Sequence, residues 1–418
     1  MAKVEKNTQP AQLQAYALFA ALLAAAGLPI YIHAPKFFVD EYGVSLTALG
    51  IVLFGLRSLD VIQDPLLGRL AEVLRNRRSL AVAIGSSVMA ISMFALFAMT
   101  PSLPPLVWFG LTLTGVFSSF SFLTICFYAQ GVSKAGALPG RGHLALARWR
   151  ETGALLGVCV ASVAPVVLAT IMGKPFTGFA IGFAVLALVA TIAMRGEWRT
   201  VSTSAPTGFD VILKDNVARR LLLIAFLNAA PVAVTSTLFL FYVEATLQSA
   251  EWAGPLLLVF FLSAAIAAPF WGFLAEAYGA KPVLLAAMAL AIVAFAGAFF
   301  LGAGDVALFA VVCIVSGAAL GADLTLLPAM FATRLAKIAP SAAEGFGLWA
   351  FVSKLTLAFS AVTLLPILQM SGFISGELIN TPHAIATLVW LYAGLPCALK
   401  GVAMAVLAGT SLHEDDTL

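Results

Sequence analysis

Charge is what this sequence has least of. Aspartate, glutamate, lysine and arginine make up 10% of its 418 residues, where a soluble domain carries about 25%. That excludes a water-soluble globular chain, and no basic patch marks a nucleic-acid partner. Histidine is nearly absent, at four residues. No HExxH, GxSxG or paired-histidine motif occurs, so no enzyme activity and no cofactor are expected. The four cysteines, Cys126, Cys159, Cys313 and Cys397, each sit in an apolar run with no CxxC spacing; neither a disulfide framework nor a cysteine metal site follows. What fills the chain instead is apolar. Hydrophobic residues make up 61%, mean hydropathy is +1.02, and apolar runs of roughly 20 residues recur, the length that crosses about 30 Å of hydrocarbon. The expected class is an all-α polytopic membrane protein whose first partner is the lipid bilayer.

Twelve transmembrane helices are expected, near 13–34, 44–70, 79–99, 103–130, 145–171 and 175–194, then 220–246, 253–275, 281–301, 305–331, 342–370 and 383–409. The first run is long enough to span and is followed by eleven more, so it is not read as a cleaved signal peptide. The longest polar stretch, "RGEWRTVSTSAPTGFDVILKDNVARR", separates two sets of six. The expected organisation is a cytosolic tail (1–12), an N-terminal six-helix bundle (13–194), a cytosolic connecting loop (195–219), a C-terminal six-helix bundle (220–409) and a cytosolic tail (410–418). With the N-terminus inside, eighteen of the 23 lysines and arginines fall on the inner side, and two, Lys36 and Lys174, on the outer. The positive-inside rule then puts both termini in the cytosol, in a multi-pass protein of the plasma membrane, the bacterial inner membrane by expectation.

An internal repeat supports the two halves. Span 2 ends "DPLLGRLAEVLRNRRSL" and span 8 ends "APFWGFLAEAYGAKPVL". Pro65, Gly68, Leu70, Ala71 and Glu72 match Pro269, Gly272, Leu274, Ala275 and Glu276 at one register. Parallel six-helix halves are the layout of major facilitator transporters. "GRLAEVLRNRR" resembles that superfamily's cytosolic loop between helices 2 and 3. The resemblance implies a latch in which Gly68 allows close helix approach and Glu72 pairs with Arg75, Arg77 or Arg78; plain membrane-edge charge is the alternative.

The same register exposes an asymmetry. Arg57, Asp60 and Asp64 stand where the second half has Phe261, Ala264 and Ala268, so the fold does not need the charges. At about 100° per residue, Asp60 and Asp64 lie roughly 60° and 20° from Arg57 on one face. Each intramembrane charge costs on the order of 2.5–3.5 kcal/mol, which points the face into a polar cavity. Lys354 lies halfway along span 11. With Arg57, Asp60 and Asp64 it forms a set that sums to zero. Two carboxylates at i and i+4, with the Gln63 amide beside them, offer hard oxygens suited to Na⁺ or to a shuttled H⁺. Lys400, nearer the end of span 12, is expected to snorkel.

"RSLDVIQDPLLG" resembles the helix 2 signature of the glycoside–pentoside–hexuronide:cation symporters, the melibiose carrier family. Arg57, Asp60, Gln63, Asp64, Pro65 and Gly68 fill that pattern, with Gln63 where that carrier has Asn. "EGFGLWAFVSKLTLAF" is similar to the family's helix 11, with Lys354 on its lysine. "ARWRETGALLG" resembles the start of its helix 5, placing Arg150 on an arginine associated with substrate, and "GADLTLLPAMFA" is similar to its helix 10. The resemblance implies a cation site at Asp60 and Asp64, a metal site if the ion is Na⁺, tuned by Gln63 and Lys354. The chain departs from the family where galactoside is bound: residues 13–34 and 103–130 carry no acid, and "ATRLAKIAP" stands in place of an acidic run after helix 10. The resemblance thus implies a retained cation machinery and a lost galactoside recognition.

Weaker substrate candidates are Thr124 and Tyr128 in "TICFYAQG", with Tyr128 able to stack on a ring, and Asp323, a lone acid in span 10. His33 beside Lys36 reads as interfacial. The expected function is a monomeric secondary transporter, a Na⁺- or H⁺-coupled symporter of a small polar solute with a sugar among the candidates. The alternative is an H⁺-coupled exporter or antiporter of an amphiphile or lipid.

Overall fold

The computed structural model describes residues 13–27, 34–35, 37–39, 41–138, 142–199, 208–339, 342–374 and 380–410. The expectations for His33, Lys36 and most of both tails lie outside the described residues, as does the side chain of Arg57. All regular structure among the described residues is helical. The N-terminal set is α1 (Leu13–Ala25), α2 (Leu46–Val73), α3 (Arg78–Ala98), α4 (Pro105–Ala137), α5 (Gly142–Ala169) and α6 (Pro175–Ala193). The C-terminal set is α7 (Asn216–Phe241), α8 (Ala253–Tyr278), α9 (Ala280–Gly297), α10 (Val306–Ile338), α11 (Ala343–Met370) and α12 (Pro382–Ala408). Nine of the described helical stretches are long and apolar enough to cross a membrane; α1 is shorter, and α2 and α11 fall outside that set.

Local chemistry sets the helix ends. Pro105, Pro175 and Pro382 occupy first-turn positions, where a missing N–H costs nothing. Ser45, Asp215 and Thr381 accept from the amides of Ala48, Ala218 and Ala384 as N-caps. Gly279 takes φ 91° between α8 and α9, a conformation that side chains disfavour. Lys281 donates to the carbonyls of Ala408 at 3.0 Å and Thr410 at 2.8 Å, capping the end of α12. α4 and α10 run beyond the expected 130 and 331, to Ala137 and Ile338. Their added turns carry Lys134 and Arg334, whose partners below keep the polar extensions helical.

The two sets pack in the same way. α1 contacts α5 and α6, α2 contacts α4, and α3 contacts α4 and α6; their counterparts α7, α8 and α9 repeat these pairings with α10, α11 and α12. Close approach depends on small residues, as in membrane interiors where packing replaces the hydrophobic drive. A Cβ on Gly153 would lie 2.1 Å from the Ala17 carbonyl oxygen, and one on Gly157 2.5 Å from that of Ala21. In α10, a Cβ on Gly321 would meet the Ala264 carbonyl at 2.7 Å and the Ala268 amide at 3.2 Å. These are the two alanines that replace Asp60 and Asp64, and α8 has no room for acids there because α10 lies against its backbone. Large apolar side chains such as Val160, Ile266 and Val293 face outward, as lipid contact requires.

The halves meet where the arginines cluster, the basic end. α2 crosses α11 backbone to backbone there: a Cβ on Gly68 would lie 3.1 Å from Gly347 Cα and 3.2 Å from the Ala343 carbonyl. α5 meets α8 through an Arg148–Glu276 ion pair at 3.3 Å. The connecting segment holds more structure than a loop. A turn at Glu197–Arg199 buries Trp198, and a short helix spans Phe209–Lys214. Arg334 grips Asp215 with two bonds, at 3.0 and 2.6 Å. Burial pushes the Asp215 carboxyl up, but Arg334 and the Ala218 amide outweigh it and hold the group below the usual range.

Candidate functional site

Asp60 and Asp64 share one face of α2 and are 4% and 0% exposed. Two further helices complete their surroundings. From α11, Lys354 Nζ stands 3.0 Å from Asp64 Oδ2 and 3.6 Å from Asp60 Oδ2. It also donates to Asp64 Oδ1 at 3.1 Å and to Ser121 of α4 at 2.6 Å. Gln63 donates to Asp60 Oδ1 at 2.8 Å and accepts from Ser118 of α4 at 3.0 Å. The structure thus brings Asp60, Gln63, Asp64 and Lys354 together and adds Ser118 and Ser121. Among the described side chains, Asp60, Asp64 and Lys354 carry one negative charge in excess, and counting Arg57 brings the set to zero. Carboxylate, amide and hydroxyl oxygens are the donors a hard cation prefers. No group of three or more histidine, cysteine or acidic residues among the described residues forms a transition-metal cluster.

Arg150 and Tyr128 meet on the inner faces of α5 and α4. The Arg150 guanidinium lies 3.8 Å from the Tyr128 ring centre, a cation–π contact. Arg150 Nε and the Tyr128 hydroxyl both donate to Glu151 Oε1, at 2.7 and 3.1 Å. Tyr128 also packs on Phe346 of α11 with centroids 4.9 Å apart. Thr124, one turn away, is half-buried and its hydroxyl has no hydrogen-bond partner.

Near the basic end, Glu72 pairs with Arg75 at 3.2 Å. Arg77 is exposed. Arg78, one of the three arginines open to Glu72, donates to Gln130 at 3.1 Å, and Gln130 donates to the Glu197 carbonyl at 2.7 Å. Lys134 joins Glu197 at 2.8 Å, so these residues tie the connecting segment to the N-terminal helices. At this end, the ion pair among the described residues that crosses between halves belongs to the repeat copy, Glu276. Arg148 spans Gly272, whose added Cβ would meet the arginine stem at 3.1 Å, and covers the Phe273 ring at 3.9 Å. Gly68 and Gly272, matched in the sequence repeat, are both positions where the opposite half packs directly on a glycine.

Asp323 does not join these groups. Lys400 is buried, not snorkelling, and pairs with Asp323 Oδ2 while donating to Asn228 at 2.6 Å. The signal was in the sequence: a lone intramembrane acid in the half that also carries Lys400 lowers its insertion cost by pairing with a base. A cavity of about 730 Å³ lies between α5, α7, α8, α9, α10 and α12, away from the basic end. Its wall is mostly apolar, with Ser162, Thr235, Ser236, Ser316 and Tyr392 as polar points. Neither the α2 acids nor Arg150 and Tyr128 line it.

The sequence pattern of the MFS/sugar transport protein family matches residues 13–414. The chain belongs to that family, within the major facilitator superfamily. It is a multi-pass membrane transporter of the secondary type. A comparison with curated proteins gave no match. Among solved structures, the chain is similar to a bacterial homologue of the iron transporter ferroportin in an outward-facing state, at TM-score 0.69 and 12% identity, covering 95% of this chain and 98% of that one. At that identity the likeness speaks to fold alone. The melibiose-carrier resemblance is consistent with the family match.

Proposed function

We propose that this transporter is a cation-coupled symporter, driven by Na⁺ or H⁺, that moves a small polar solute by alternating access, with a sugar among the candidates. The observation that carries the reading is the Asp60–Asp64 pair facing Lys354. The acids belong to α2 and the lysine to α11 of the other half, across the seam where Gly68 and Gly347 touch. A cation entering between the carboxylates competes with the Lys354 ammonium. Occupancy therefore changes the contact between halves, which is what coupling an ion to alternating access requires. Arg57 is assigned to the same charge set. The second reading, H⁺-coupled export of an amphiphile, draws support from the apolar cavity wall. Arg150, Tyr128 and Thr124 are proposed as solute contacts on the N-terminal side.

The membrane proposed is the bacterial inner membrane, with the basic end in the cytosol, as the lysine and arginine bias favours. The conformer described is then closed to the cytosol. A fluorescent reporter fused after Leu418 should report the cytosol; a periplasmic signal would reverse every side assignment.

The coupling ion is read by thermal unfolding of the detergent-solubilised protein in Na⁺ and in choline, at two pH values, across a solute panel. A solute that raises the midpoint only with Na⁺ identifies solute and ion together, and one that does so in choline at the lower pH identifies H⁺. Melibiose should leave the midpoint unmoved, because the two sugar-binding acids are missing. Stabilisation by every solute without regard to ion would overturn the coupled reading.

A further inference from the structure

The Asp323–Lys400 pair lies outside the coupling machinery and is built differently. Asp323, Lys400 and Asn228 are 7%, 4% and 5% exposed and belong to α10, α12 and α7 of one half. Asp323 Oδ2 is held by Lys400, but Asp323 Oδ1 is buried with no hydrogen-bond partner. Lys400 uses two of its three N–H groups, on Asp323 and Asn228. Both side chains line a small cavity of about 20 Å³. That cavity and the 730 Å³ apolar one share Val232, Thr235, Phe260, Phe295 and Ser316 as walls. A polar niche therefore opens beside a much larger apolar one.

A buried carboxylate oxygen without a donor is costly, and its surroundings state what would satisfy it. The space holds about one oxygen-sized group, so carboxylate and phosphate heads are too large. The pair is already neutral. An ammonium would leave a buried net positive charge, which the low-dielectric surroundings disfavour. A hydroxyl adds no charge, donates to Asp323 Oδ1 and accepts the third N–H of Lys400 through one atom. We propose that Asp323 and Lys400 form a head-group site for a neutral, hydroxyl-bearing amphiphile whose apolar body fills the adjoining cavity. Calling this ligand the cargo rests on the transporter reading above; its binding does not.

Native cysteines supply the readout. Cys313 and Cys159 line the large cavity, while Cys126 is buried among α4 neighbours and lines neither. The full chain in lipid nanodiscs is treated with N-ethylmaleimide, and labelling of each cysteine is followed by peptide mass spectrometry. The probes share one body: 2-(1-naphthyl)ethanol, its methyl ether, which cannot donate, and 2-(1-naphthyl)ethylamine, which is charged. The alcohol should slow Cys313 labelling at concentrations about tenfold below those needed with the ether or the amine, and leave Cys126 unaffected. Asp323→Leu combined with Lys400→Met removes the head site without stranding a charge; it should bring alcohol and ether to equal potency. Thr235→Leu, which narrows the shared wall and leaves the ion pair intact, should weaken the alcohol as well. Equal potency of all three probes on the wild type, or protection by none, overturns the proposal and leaves a water as the occupant of the niche. Protection that survives the double substitution overturns it too. Selective alcohol binding in a protein whose transport ignores Na⁺ and H⁺ would sink the coupled reading alone. Ion-dependent transport without alcohol selectivity would sink this inference alone.

Discussion

Replacing Asp64 by Asn should abolish accumulation of solute against a gradient while leaving the protein folded and able to bind solute. Asp64 is fully buried and its carboxylate lies 3.0 Å from the Lys354 ammonium. Asn keeps the volume and one acceptor, and it leaves Asp60 and Lys354 as a one-to-one pair. An intramembrane charge costs about 2.5–3.5 kcal/mol on insertion scales, so its removal should not harm insertion. What goes is one of the two carboxylates between which the cation would sit, so the site no longer offers it a pair of anionic oxygen donors. By linkage, an ion that no longer binds cannot raise solute affinity, and solute cannot raise ion affinity. Stabilisation by Na⁺ or by acid should vanish with accumulation, and downhill exchange should persist. The measurement is concentrative uptake in vesicles for Asp64→Asn beside wild type. Undiminished accumulation would show the α2 acids to be structural ballast.

The chain's own pattern revealed much of this arrangement, for identifiable reasons. Helices that must satisfy their backbone within the bilayer leave long apolar runs, so the spans were readable. The repeat around Gly68 and Gly272 was readable because both glycines answer the same steric demand at the closed seam. Asp60, Gln63 and Asp64 were readable because helical periodicity fixes which residues share a face. Ser118 and Ser121 were not, since serine is common in apolar helices, where its hydroxyl bonds its own backbone, as Ser87 does to Ala83. Which helices α2 faces is a tertiary fact. Distance along the chain makes Lys400 look shallow enough to snorkel, but it is buried on Asp323. A lysine snorkels only when no acid waits nearer than the headgroups, and Asp323 waits on α10. Sequence alone left three arginines open to Glu72; space decides between them, with Arg75 taking Glu72 and Arg78 taking Gln130.

The complementary loss, Lys354→Ala, should do more damage than Asp64→Asn, and in a different currency. Lys354 is the only described cation within reach of the two acids, at 3.0 and 3.6 Å, and it also binds Ser121. Without it the described charges of the site go from one negative in excess to two, both buried beside the seam between halves. Stranding a buried charge by deleting its partner costs about 3–5 kcal/mol, more than most single substitutions. The expected result is a clear fall in the thermal unfolding midpoint and in the yield of monodisperse protein. The sign of the double variant decides the cause. If the harm comes from stranded carboxylates, adding Asp64→Asn to Lys354→Ala should raise the midpoint back toward wild type, because it removes one of them. If Lys354 acts only by packing its stem between α2 and α4, the second substitution should bring no recovery. Recovery of stability without recovery of uptake would be the full signature: the lysine balances the acids for folding, and the acids hold the ion for transport. A Lys354→Ala protein that melts with wild type would show that this ammonium does not neutralise Asp60 and Asp64, and the competition between lysine and cation on which coupling rests would fall with it.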